Sequence, residues 1–277
     1  MPLRIKMSNG TIAVKDKVST LRQMLESRMD TIARTLPSQL MQPARFAQIV
    51  TTLCAQNPML LDCKPASLIG SVLQCAALGL SPDPALGNAW FIPFKGVVQF
   101  IPGYKGLATL AWRSGQVASL AMNVVHEGDV FDYELGSSPF LKHKPIAMMS
   151  APLTFAYATA KPIGGEIMFE VLSLEQIKAI QARSPSARSG RSPWTTDFEA
   201  MAKKSAFRRL AKLLPISAER AAPLGKALDL DERAELGLQQ HNEELLGENF
   251  EEEQETETEA HDATGTSRDG RSDASKG

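Results

Sequence analysis

Cysteine is scarce in this chain of 277 residues, which has only Cys54, Cys63 and Cys75. They fall in apolar or helical stretches without paired spacing. A disulfide scaffold is therefore excluded, and small core residues in a reducing compartment are expected. Aromatic residues are thin at 6%, which counts against a binding mode that rests on many stacked bases. No apolar run approaches the roughly 18 residues that a membrane-spanning helix needs. The start, Met1-Pro2-Leu3-Arg4-Ile5-Lys6, lacks the apolar segment of a secretory signal. A cytoplasmic protein is the expectation.

Reaction motifs are missing as well. There is no G-x-x-x-x-G-K-[ST] phosphate loop, no G-x-G-x-x-G after a strand and no G-x-S-x-G elbow. His126, His143, His241 and His261 do not combine with the cysteines at metal-ligand spacing. His126-Glu127 begins like H-E-x-x-H, but Val130 stands where the second histidine belongs. Neither a metal nor a cofactor is expected. The one enzyme-like grouping is Glu127, Asp129, Asp132 and Glu134, which a hairpin could gather into carboxylate pairs for Mg²⁺. No lysine follows at the distance a nuclease would use, so a solvated hairpin face is the plainer reading.

Charge is abundant and unevenly placed. Residues 231–277 hold 15 acids and 4 bases, which leaves 26 bases and 16 acids in residues 1–230. The near-zero total of −1 thus joins a body of about +10 to an acidic end of about −11. A basic body of this size suits a polyanion.

Apolar spacing organises the first 80 residues into helices. Val18, Leu21, Leu25, Ile32 and Leu36 recur at three-to-four intervals up to Pro37; Phe46, Ile49, Val50 and Leu53 follow Pro43; Leu68, Ile69, Val72, Leu73 and Ala76 follow Pro65. Strand-like runs come next. Residues 88–94 and 97–101 read as a hairpin about Lys95-Gly96, 117–126 and 130–135 as a second about Gly128-Asp129, and 153–160 and 166–172 as a third about Gly164-Gly165. A short helix is expected over 103–114. Ser173 and Gln176 form a capping box, and Ser192-Pro193 opens a long helix to 214. The class is α+β: a helical lobe (1–80), a largely antiparallel core with helices (81–217), a helical extension (218–247) and an acidic tail (248–277) unable to form a core. The lobe's apolar stripes exceed what one short bundle buries, which points to subunit contact.

The basic residues concentrate late, with nine Lys/Arg between Lys178 and Lys212 against Asp197 and Glu199. At 100° per residue Lys204, Arg208 and Lys212 share a helix face flanked by Arg209, opposite Phe207, Leu210, Leu213 and Leu214. That ridge repeats about every 6 Å and fits a row of phosphates. Lys203 projects on the apolar side. Trp194 reads as a core anchor. A second basic group comprises Lys105 within Gly103-Tyr104-Lys105-Gly106, then Arg113, Lys142, His143 and Lys144. The glycines there permit close backbone approach, as a phosphate would require. A protein that holds phosphates and leaves bases outward keeps them free to pair, which is what annealing requires.

Several stretches together resemble the RecT family of phage and prophage single-strand annealing recombinases. They are Gly79-Leu80-Ser81-Pro82, Pro84-Ala85-Leu86-Gly87, Ile92-Pro93-Phe94, Gly103-Tyr104-Lys105-Gly106-Leu107, Arg113-Ser114-Gly115 and Val124 to Asp129. Tyr133 to Gly136, Leu141 to Pro145, Ser192-Pro193-Trp194 and the 203–215 segment complete the pattern, which covers about 40–215. The resemblance implies ATP-independent annealing and strand exchange in a bacterial cytoplasm, homo-oligomers on single-stranded DNA and on the annealed duplex, and a partner exonuclease. It also implies an antiparallel sheet packed on helices with DNA in a basic groove. Lys105, Arg113, Lys203, Lys204, Arg208 and Arg209 match the family's basic positions. With Lys142, Lys144 and Lys212, and with Arg188 and Arg191 in the variable loop, they form the expected DNA-binding set.

Overall fold

The computed structural model describes residues 9–37, 39–146, 151–188 and 192–240. The acidic tail lies outside the described residues.

Helices α1 (Asn9–Ser27) and α2 (Met29–Thr35) divide the first expected helix in two at Arg28. Leu21, Leu25, Ile32 and Leu36 are buried, as their spacing requires. Proline at the first position starts both α3 (Pro43–Gln56) and α4 (Pro65–Ala77), where its missing N–H costs nothing. Burial runs unbroken along α4 from Ser67 to Ala76, so this helix is central to the fold. All three cysteines are buried and free. Desolvation pushes the Cys54 thiol up to about 12, so it stays protonated and inert at neutral pH.

Strands β1 (Ala89–Phe94) and β2 (Val97–Pro102) form the first expected hairpin, with Lys95 (φ 50°) and Gly96 (φ 79°) at its turn. Val98 and Phe100 direct their backbone groups away from β1, and side chains meet them there. Ser67 Oγ accepts from Val98 N at 2.9 Å, and Ser71 Oγ donates to Val98 O at 3.1 Å. The Gln240 amide accepts from Phe100 N at 2.8 Å and donates to Phe100 O at 2.7 Å. Helix α5 (Tyr104–Arg113) follows.

The second hairpin does not form as the sequence suggested. β3 (Val117–His126) pairs instead with β6 (Leu153–Pro162), which pairs with β7 (Met168–Ser173) in the order β3-β6-β7; β4 (Val130–Glu134) pairs with β5 (Phe140–Lys144) as a separate arm. A ten-residue strand finds its match in another of ten, while β4 has five residues. The β6–β7 pairing is the expected third hairpin. Every strand pairing among the described residues is antiparallel.

The capping box at Ser173 and Gln176 is present and opens α6 (Leu174–Arg183). The long helix expected from Pro193 is broken at Asp197 (φ −140°) into α7 (Pro193–Thr196) and α8 (Phe198–Ala211). Trp194 is buried, as an anchor should be. Helix α9 (Ala218–Leu236) ends at Gly237 in the left-handed conformation. α8 crosses the three-stranded sheet, and α9 packs on β2 and α5. One contiguous core runs from Leu21 through Phe207 and Leu210 to Leu230. The fold is α+β.

Candidate nucleic-acid interface

Helix α8 carries the densest part of the basic set, and its two sides behave differently from the expectation. Phe207 and Leu210 are buried as expected. Leu213 is exposed. The opposite side is covered at Lys204 and Arg208 and open only at its end, at Lys212. Lys204 is 5% exposed and forms an ion pair with Asp231 of α9, itself 2% exposed. Arg208 reaches Asp231 at 3.3 Å and also pairs with Glu235. Lys212 donates to Glu232 at 3.0 Å. The ridge of cations thus meets a counter-ridge of carboxylates, joined through long side chains. Burial pulls the Lys204 ammonium below the usual lysine range, and Asp231 offsets only part of that. Lys204 is therefore an interior cation, and the surface position expected for it is corrected.

Asp231, Glu232 and Glu235 went unrecognised in the sequence because they were counted with the acidic end. Asp231 and Glu235 are four residues apart on α9, the same period as Lys204, Arg208 and Lys212 on α8. That match was the available signal.

Arg209 is exposed and Lys203 half-buried, and neither has a carboxylate partner among the described residues. Arg183, Arg208, Arg209 and Lys212 line one side of a cleft between α6, α8 and α9, with Glu232 and Glu235 across it. Arg188 lies in the short turn Pro185–Arg188; Arg191 lies outside the described residues.

Arg113 has a structural task. Its guanidinium donates to Gly79 O at 2.8 Å and to Leu78 O at 3.4 Å, closing the end of α4, and desolvation lowers its pKa. The close approach allowed by Gly103 and Gly106 is also internal. A β-carbon on Gly103 would strike the carbonyl of Gly87, and one on Gly106 that of Asn88. Those glycines serve chain packing, which corrects the phosphate-approach reading. Lys105 itself is exposed.

Lys142 and Lys144 alternate with His143 on β5, which fixes which way each points. His143 turns inward, with Nδ1 3.1 Å from Tyr157 Oη and Nε2 3.1 Å from Asp129 Oδ2. Asp129 also accepts from the backbone of His126 at 2.9 Å and of Ile146 at 2.8 Å. This polar chain seats the arm on the sheet, and Lys142 and Lys144 face outward. Lys142 stands opposite Asp132 on β4, so the arm's outer face is of mixed sign. The same geometry dismantles the nuclease grouping. Asp129 points into the fold, Asp132 faces a lysine, and no cluster of three metal-ligating side chains exists among the described residues.

A family model described as RecT family matches residues 44–260. The chain belongs to the RecT family. It is 38% identical over 239 residues to Protein RecT of Escherichia coli (strain K12), spanning 83% of this chain and 86% of that protein. It is also 32% identical over 127 residues to the Uncharacterized protein YqaK of Bacillus subtilis (strain 168), 46% of this chain and 44% of that one. Homology makes the chain a single-strand annealing recombination protein. The RecT match extends past 215, where the sequence resemblance stopped, and so takes in α9 and its carboxylates. No helix among the described residues is long and apolar enough to cross a membrane.

Proposed function

We propose that this RecT-family protein binds single-stranded DNA through its phosphates and anneals it to a complementary strand without ATP and without making or breaking covalent bonds. RecT homology over most of the chain carries the reading. The basic body, near +10 for residues 1–230, supplies the attraction. The cleft between α6, α8 and α9 is the proposed groove, with Arg183, Arg209 and Lys203 as outer contacts and Lys212 at the rim. Lys204 and Arg208 act from beneath by fixing α9. Lys105, Lys142, Lys144, Arg188 and Arg191 extend the path. Homo-oligomers form on the strand through the helical lobe, whose α1 and α2 precede the family match at residue 44. An exonuclease that exposes single strands is the proposed partner, and the compartment is the bacterial cytoplasm.

The test is annealing of complementary oligonucleotides without nucleoside triphosphate at several salt concentrations. Annealing that weakens as salt rises, with strands of unchanged length in Mg²⁺, is expected. Shortened strands, or absence of annealing at every salt concentration, would overturn the proposal.

A further inference from the structure

Two of the three tryptophans are at the surface. Trp194 is 2% exposed, whereas Trp90 is 39% and Trp112 46% exposed. Phe46, Phe100 and Phe207 are buried, and the other exposed rings among the described residues, Tyr133 and Phe140, lie on the separate β4–β5 arm. The placement of Trp90 and Trp112 relative to one cation is informative.

Trp90 lies on β1 between buried Ala89 and Phe91, so strand alternation turns it outward. Its ring edge is 4.0 Å, and the Lys105 side chain 3.7 Å, from the point where a β-carbon on Gly87 would sit. The indole and the lysine stem therefore border the same small glycine surface. The Trp90 indole nitrogen makes no hydrogen bond, and Lys105 no ion pair, among the described residues. Trp112 follows Lys105 by seven residues on α5, two turns along and on nearly the same face. The separation is about 10 Å. Gly103 and Gly106 press the start of α5 onto the Gly87–Asn88 backbone, which fixes the strand-borne ring against the helix-borne cation.

We infer that Trp90, Lys105 and Trp112 form a nucleotide subsite in which the Trp90 indole face stacks on one base, Lys105 takes the neighbouring phosphate, and Trp112 receives a base further along the strand. A flat ring beside an unpaired cation fits the alternation of base and phosphate along a single strand. A strand anchored by one or two bases per subunit leaves the others free to pair, which agrees with the low aromatic content. The inference rests on the single-strand-binding reading and adds residues and a stacking contact that phosphate binding alone does not require.

The ionic and stacking contributions separate experimentally. With the full chain and an unlabelled oligothymidylate, intrinsic tryptophan emission should fall on binding. The quench should shrink in Trp90→Phe and in Trp112→Phe and vanish in the double variant, whose remaining Trp194 is buried. Trp90→Ala should weaken binding about tenfold at an unchanged log–log salt slope, because stacking releases no counterions. Lys105→Gln should reduce that slope by about 0.7. Phenylalanine keeps a stacking ring, so Trp90→Phe should bind nearly as well as the unmodified chain. Quenching that persists in the double phenylalanine variant overturns the inference, as does unchanged affinity in Trp90→Ala. So does a fall in oligomer size with short-oligonucleotide affinity intact, which would assign the face to a second copy. Failure of the unmodified chain to bind any single strand overturns the broader reading along with it, whereas binding without quenching overturns the subsite alone.

Discussion

Asp231→Ala should destabilise the protein strongly, although it removes no apolar side chain. The carboxylate side chain is 3% exposed and its partner Lys204 is 7% exposed. Removing one member of a buried ion pair leaves the other charge without compensation and costs about 3–5 kcal/mol. Folded domains have about 5–15 kcal/mol in all, so this one change removes a large share. With a urea dependence of about 2–3 kcal/mol per molar, the unfolding midpoint should fall by about 1–2.5 M at pH 7. Two comparisons isolate the cause. Glu232→Ala breaks a pair whose side chains are 46% and 52% exposed and should cost under about 1 kcal/mol. Replacing both buried partners, Lys204→Met with Asp231→Leu, should recover most of the loss, because the buried ammonium leaves with its carboxylate and Arg208 keeps Glu235 as a partner. A midpoint for Asp231→Ala within about 0.3 M of the unmodified protein, on the same scale, would refute the reasoning. Lys204→Ala alone should likewise cost stability, which qualifies any salt-slope measurement made with that variant.

Hydrogen bonding from Lys212 is the main cause holding the Glu232 carboxyl below the usual glutamate range. Its contribution is therefore present above the unfolded value of about 4.3 and disappears as pH falls through the lower folded value. Urea midpoints of Glu232→Gln and the unmodified protein should differ slightly at pH 7 and converge in acid. Gly106→Ala drives a β-carbon into the Asn88 carbonyl and should lower stability by about 1–3 kcal/mol, read as a drop in Tm. A chain ending at Leu246 lacks Glu251-Glu252-Glu253, Glu255, Glu257 and Glu259. It should bind single strands more tightly than the full chain at low salt and equally at moderate salt, because a tethered polyanion is screened over about 10 Å at 0.1 M. Equal binding at both salt concentrations would leave the acidic end as a solubility device.

The helices were legible because proline, glycine and three-to-four spacing are local. Pro43 and Pro65 start α3 and α4, and Ser173 caps α6 on Gln176. Two hairpins were legible for the same reason. The partner of β3 was not, because alternation shows that a strand exists and says nothing about which other strand it meets. Gly128-Asp129 does turn the chain, with Asp129 N donating to His126 O at 3.1 Å, but β4 then leaves the sheet. At the interface, the angular grouping of Lys204, Arg208 and Lys212 was sound; the expected exposure holds for Lys212 and fails for Lys204 and Arg208. A helical wheel separates polar from apolar arcs without knowing that a helix some twenty residues later will cover the polar one. Arg113 illustrates the converse. Its position matched the family, yet its bonds to Leu78 and Gly79 could be found only in three dimensions.

The outer edge of β2 has a consequence for how the chain can be shortened. Strand edges with open backbone groups recruit other strands. Here Ser67 and Ser71 cover Val98 from within α4, but Phe100 depends on the amide of Gln240 alone, four residues beyond the end of α9. Cutting at Gly237 would keep every helix among the described residues and still unmask one residue's donor and acceptor beside the apolar hairpin. Such a fragment would carry a short adhesive edge, open to a strand from a neighbouring molecule. Any clustering it showed would imitate the protein's own assembly while arising from a missing glutamine.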